Sequence, residues 1–163
     1  MTDGAGLSDR ELRTWRTFLG VATVLNQQVE QQLKDTAGLS HPQYEVLARL
    51  SNAPDGELRM TELAGIALTS KSGLSYQVAQ LEKAGLVQRR PCATDERGIV
   101  AVLTEAGWAK LRESAPNHLA LVRSAFVESL SANEFAALTA AVDALGTHLG
   151  LTGETVTALR VQS

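Results

Sequence analysis

A mainly α-helical chain with one small β-hairpin is the fold class this sequence predicts, and three observations carry it. Ser8, Ser40 and Ser131 each follow a Leu and precede a Glu or Gln by three residues, which is the signature of a capped helix start. Aromatic residues make up only 4% of the 163-residue chain, so a core must be built from Leu, Val and Ala, which suits helices. After Gly85 the apolar spacing changes from three-and-four to two, over Leu86–Cys92 and Ile99–Leu103.

The first helix is expected from about Asp9 to Thr36. Leu12, Trp15, Leu19, Ala22, Val29 and Leu33 recur at helical spacing, with Phe18, Val21 and Leu25 widening the stripe, and Gly38 supplies a C-terminal stop. That is more apolar face than a lone surface helix needs. The second helix covers about His41 to Asn52 and ends before the turn Ala53-Pro54-Asp55-Gly56. Thr61 is expected to cap a short third helix through Ala67, and Ser70 a fourth that ends at Gly85.

Leu63, Ile66 and Leu68 should then meet Leu74, Val78 and Leu81, with Ala64 small where the two helices come closest. Two strands follow, joined by the tip Ala93 to Gly98, where Gly98 is expected to close the turn with positive φ. Thr104 caps a fifth helix running to about Ser129, with Trp108, Leu111, Leu119, Val122 and Phe126 inward and a kink or split at Pro116. Phe135, Leu138, Val142, Leu145 and Leu149 form a coiled-coil-like seam on the sixth helix.

Two short helices followed at once by a hairpin make a winged helix-turn-helix, a unit that sets one helix in a DNA groove and a hairpin beside it. With Leu74, Val78 and Leu81 turned inward, the fourth helix presents Ser70, Lys71, Ser72, Ser75, Tyr76, Gln77 and Gln80 outward. Ser and Gln can donate to and accept from base edges, Gln can pair with adenine through two bonds, and Tyr can reach a phosphate or a thymine methyl. Arg97 at the hairpin tip suits a narrow minor groove, with Asp95 two residues earlier to orient it, and Arg90 on the first strand is expected to make a further DNA contact.

Formal charge is −3, which is not the usual footprint of a nucleic-acid binder. The distribution is polar, however. Between residues 69 and 100, Lys71, Lys83, Arg89, Arg90 and Arg97 against Glu82, Asp95 and Glu96 leave +2. From Glu113 onward, Arg123 and Arg160 against Glu113, Glu128, Glu134, Asp143 and Glu154 leave −3. The positive charge sits on the groove-reading elements.

LSHPQYEVLARL, then LRMTELAGIALTSKSGLSYQVAQLEKAGLVQRRPCATDERG, then VLTEAG, together resemble the MarR (multiple-antibiotic-resistance regulator) family of winged-helix transcription regulators, over about residues 7–149. The resemblance implies a homodimer built on the first, fifth and sixth helices, with the fourth helix in the major groove and the wing Arg in the minor groove. It implies a division into 1–38 and 105–150 for dimerisation, 39–104 for DNA binding, and 151–163 as a tail. It further implies a repressor acting on a pseudo-palindromic duplex operator, released by a small aromatic or carboxylic effector that Trp15, Asn26, Tyr44 and Arg49 would line. The chain departs from the family pattern at Tyr76, where Arg is common, and in its Asp95-Glu96-Arg97 wing, where Asp-Arg-Arg is common.

The remaining residues point to no other chemistry. Cys92 is alone, so no intramolecular disulfide forms, and it is read as a spectator rather than a redox sensor. His41, His118 and His148 lie far apart, and no spacing suggests a metal site. No nucleophile or phosphate loop accompanies the carboxylates, so neither an enzyme nor a cofactor is expected. With no apolar run of membrane length and no secretion signal, a cytoplasmic protein is expected. The alternative reading is a winged helix that binds proteins and never meets DNA, which the acidic balance keeps open.

Overall fold

The computed structural model of the chain describes residues 6–66, 70–93 and 95–151, and for residues 66 and 95–97 the backbone alone. Six α-helices are described: α1 (Asp9–Ala37), α2 (His41–Asn52), α3 (Met60–Ile66), α4 (Lys71–Lys83), α5 (Glu105–Val122) and α6 (Ala132–His148). Three strands, β1 (Glu57–Arg59), β2 (Val87–Cys92) and β3 (Asp95–Leu103), form an antiparallel sheet in the order β1-β3-β2.

The three expected capping boxes are all present. At Ser8, Ser40 and Ser131 the hydroxyl accepts the N–H of the third helical residue, whose side chain accepts the serine N–H in return. Gly38 closes α1 at φ 66°, a left-handed value that glycine adopts without a Cβ penalty.

Four expectations are corrected. The strand β1 was not foreseen: three residues of Glu-Leu-Arg carry no period, and only pairing with Val100–Val102 makes them a strand. Because β1 runs directly into α3, the helix starts at Met60 and Thr61 lies inside its first turn; the Glu62 carboxylate instead accepts the Arg59 N–H at 3.1 Å. Gly98 lies within β3 and does not close the hairpin. Pro91 pairs with Ile99 and Cys92 with Asp95, so Glu96, Arg97 and Gly98 have no partners on β2 and form a bulge. Finally, α5 passes through the exposed Pro116 without a split, and the departure from α geometry comes later, as a π turn at Arg123–Val127. At Pro116 the missing N–H frees a carbonyl one turn back, on the exposed Arg112, where water can serve it.

The core is the winged unit. Leu47, Leu50, Leu63, Leu74, Val78, Leu81, Val87 and Ala101 are buried around it, joined by Leu33 from the end of α1 and Leu111 from α5. Of the expected partners, Leu68 and the side chain of Ile66 lie outside the described residues, as does Ala67, the expected end of the third helix. The long helices are different. Trp15, Phe18, Leu19 and Val21 of α1, Leu119 of α5, Val142 and Leu145 of α6, and Leu149 just past its end are all exposed, Leu149 at 69%, and α6 buries no residue. The inward set expected on α5 is therefore split, with Leu111 buried and Leu119 half-exposed at 50%.

Candidate nucleic-acid interface

The helix α4 is oriented by its buried side. Leu74, Val78 and Leu81 fall on one face at spacings of four and three and are almost completely enclosed. Lys71, Ser72, Ser75 and Tyr76 consequently stand on the opposite, exposed face, Tyr76 at 61%, while Gln77 and Gln80 are half-buried on its flanks. Ser70 caps the helix: its hydroxyl accepts the Gly73 N–H at 3.1 Å and shares a hydrogen bond with the Ser72 hydroxyl at 3.2 Å. The remaining N–H groups of that first turn, beside Lys71, are suited to a phosphate.

Beside α4 stands the hairpin. Strand alternation sends Arg89 and Arg90 to opposite faces of β2. Arg90 is exposed and ion-pairs across the sheet with Glu57 of β1. Arg89 turns toward α4, where its guanidinium donates to Glu82 at 2.7 and 2.9 Å and its backbone N–H donates at 3.1 Å. Those bonds hold the Glu82 carboxyl below the usual carboxylate range. Thr94 and the side chains of Asp95 and Arg97, on which the expected minor-groove contact depends, lie outside the described residues.

The four expected effector residues are not gathered in one place within the chain. Trp15 and Asn26 lie on exposed parts of α1, eleven residues or about 16 Å apart along the helix. Tyr44 and Arg49 are buried in α2, each 2% exposed, so Arg49 is not the solvated side chain expected of an arginine. Glu45 lies 3.3 Å from it.

Around Tyr44 the structure assembles groups that sequence distance kept apart. The ring of His118, on α5, lies 4.5 Å from the Tyr44 ring and 6.4 Å from that of His41. His41 Nε2 is 3.6 Å from Glu45, and the His41 backbone N–H donates to Glu30 of α1 at 2.6 Å. The Tyr44 hydroxyl and His118 Nδ1 are buried without hydrogen-bond partners among the described residues. Burial, then the Glu45 charge, pushes the Tyr44 hydroxyl up to about 12. His118 is lowered, first by burial and then by His41, against an opposing pull from Glu45.

That shift has a sign in stability. An unfolded histidine takes up a proton at its ordinary value near 6.5, whereas folded His118 resists it, so the unfolded chain binds more protons below that pH. Stability is expected to fall as pH drops from 7 to 5, and His118→Gln to reduce the fall. Melting temperatures at the two pH values check this, and an identical drop in the variant would place the proton uptake elsewhere.

Among the described residues, no group of three or more His, Cys, Asp or Glu is arranged to hold a metal, and no helix is long and apolar enough to cross a membrane.

Residues 37–98 match the sequence profile of the MarR family. Two solved structures match over nearly their whole length. The first is Sco3205, a MarR family transcriptional regulator from Streptomyces coelicolor in complex with DNA. It is 38% identical, with a TM-score of 0.84 over 88% of this chain and 94% of that one. The second is AbsC, a MarR family transcriptional regulator from the same organism, also 38% identical, with a TM-score of 0.84 over 91% of this chain and 100% of that one. The chain belongs to the MarR family. A curated relative, the HTH-type transcriptional repressor YetL of Bacillus subtilis (strain 168), is 34% identical over 97 residues, which span 60% of this chain and 58% of that one. As a MarR-family member the protein is a DNA-binding transcription regulator, and its three-stranded sheet and α3–α4 pair are the winged helix-turn-helix.

Proposed function

We propose that the protein is a homodimeric transcriptional repressor that reads a pseudo-palindromic operator. The observation that carries the reading is the division of α4 between a fully enclosed apolar face and an exposed face of Lys71, Ser72, Ser75 and Tyr76. In this reading α4 enters the major groove, with Ser70, Gln77 and Gln80 extending the contact. Arg90 exchanges Glu57 for a phosphate, and Arg97, oriented by Asp95, enters the minor groove. Sco3205 was crystallised with DNA, which supports the mode, and the repressor relative supports the sign of the output.

The dimer is supported by the exposed apolar residues of α1, α5 and α6. Three helices offering Trp15, Phe18, Leu119, Val142, Leu145 and Leu149 to water make a surface that a monomer does not sustain. A two-fold axis through them would put residues 1–38 and 105–150 in the dimer body and 39–104 in the two DNA-binding units, with 151–163 outside both. A small aromatic or carboxylic effector would lie between body and winged unit, where Tyr44 and Arg49 come from α2 and a partner surface carries Trp15 and Asn26. The protein acts by binding in this reading and needs no cofactor.

Selection of duplexes from random-sequence DNA tests it. A palindrome with half-sites about one helical turn apart is the expected product. A recovered sequence without two-fold symmetry would overturn the dimeric operator, and failure to recover any duplex would favour a protein-binding role. On the selected duplex, Arg97→Ala is expected to lower affinity about 10-fold with an unchanged melting temperature. Equal binding by that variant in a gel shift would remove the wing contact.

A further inference from the structure

We propose that Glu82 is a positioning residue for DNA binding: through Arg89 it fastens the first wing strand to the end of the reading helix, so that helix and wing meet the duplex as one rigid body. The proposal rests on the DNA-binding reading above. Glu82 lies in the last turn of α4, where the unpaired carbonyls carry partial negative charge and a carboxylate is unfavourable for the helix itself. What offsets that cost is outside the helix. One carboxylate oxygen accepts the Arg89 N–H at 3.1 Å, and the other accepts its Nε and terminal guanidinium N–H groups at 2.9 and 2.7 Å.

The bond to the backbone N–H is the decisive one. Strand β2 is at the edge of the sheet, so the outward N–H of Arg89 has no strand to pair with. Glu82 takes it, and thereby locates the strand and not merely a long side chain. Only residues 84–86 connect α4 to β2, with Gly85 at φ 75° and the Leu86 N–H donating to the Leu81 carbonyl at 2.9 Å, so the joint is short and fixed at the helix end, while nothing in it holds the strand further out. The six residues of β2 carry the wing tip about 20 Å from that joint, so a swing of about 10° displaces the tip by about 3 Å. A displacement of that size takes a side chain out of hydrogen-bonding range.

Simple electrostatics predicts the opposite effect, which makes the test sharp. Glu82 is an acidic group beside a polyanion, so its removal raises affinity if charge is all that matters. The expected result is a loss: Glu82→Ala binds the duplex selected with wild-type protein about 5-fold more weakly, with an unchanged salt slope. Glu82→Gln is intermediate, since its amide oxygen still accepts one bond from Arg89. Arg89→Gln, which keeps the backbone bond, loses less than Glu82→Ala, and the double variant loses no more than Glu82→Ala.

In the free protein, Glu82→Ala should speed hydrogen exchange at the Arg89 amide. Equal or tighter binding by Glu82→Ala, or an Arg89 amide unchanged in exchange, overturns the proposal. So does a salt slope reduced by about one in Arg89→Gln alone, which would make Arg89 a direct phosphate contact. A wild type that binds no duplex sinks the DNA-binding reading and takes this role with it, whereas a binding wild type with an equally binding variant sinks this role alone.

Discussion

Val142→Asp with Leu145→Asp is expected to turn the protein into a monomer and to lower its affinity for a selected palindrome by about 100-fold or more. Both residues lie on the α6 seam and are about half exposed in the isolated chain, so neither contributes to the core around Leu47, Leu63 and Val78. A carboxylate at either position costs little in water but a great deal inside an apolar interface, where its charge is neither solvated nor paired. Once dimerisation is lost, each winged unit must find its half-site alone, and the gain from tethering two units, about 100-fold to 10,000-fold, disappears. Light scattering at micromolar concentration reports the mass and gel shifts report the affinity. Circular dichroism should retain most helical signal, because the winged core closes within one chain. A variant that remains dimeric and binds as tightly as wild type would take α6 out of the interface.

Gly107→Ala is expected to destabilise the fold by about 3 kcal/mol, lowering the melting temperature by about 10 °C. The residue lies in the first turn of α5, packed against the backbone that leads into β2. A Cβ there would stand 2.1 Å from the Leu86 carbonyl oxygen and 2.9 Å from a Leu103 methyl. Backbone cannot rotate away as a side chain can, so the helix start must lift. Lifting it strains two bonds that seat α5: the Thr104 N–H to the Leu86 carbonyl at 3.2 Å, and the Thr104 hydroxyl to the Gly85 carbonyl at 2.7 Å. Gly65→Ala is the control, since none of the described residues lies within 4 Å of a Cβ at that helical position. It should be neutral or stabilising by a few tenths of a kcal/mol. Equal melting temperatures for wild type and Gly107→Ala would mean that the α5 start is free to shift without cost.

Both predictions concern features of different visibility in the chain. The α6 seam is legible because Phe135, Leu138, Val142 and Leu145 repeat within one helix, with Leu149 continuing the spacing at its cap. Gly107 is one of 13 glycines, and nothing near it in sequence marks it as the one pressed against Leu86. The candidate site divides in the same way. The exposed face of α4 follows from the spacing of Leu74, Val78 and Leu81. The tie from Glu82 to Arg89 and the pair of Arg90 with Glu57 do not, because each needs the sheet and helix to be in place first. Arg49 shows the limit of composition: an arginine is usually solvated, and here the packing of α2 encloses it beside Glu45.

Local chemistry alone decided where the capped helices begin, where α1 stops, which face of α4 is greasy, and where the period of the backbone changes to that of a hairpin. Each is settled by residues within about four positions of one another, so propensity and hydrogen-bond geometry act before any fold exists. The path of the folded chain decided the rest. It made Glu57–Arg59 a strand by supplying β3, and opened a bulge at Glu96–Gly98 in place of a glycine-closed turn. It also brought His118 onto Tyr44. Those outcomes depend on partners that only tertiary packing delivers, and a side chain's neighbours across space leave no period or spacing in the sequence.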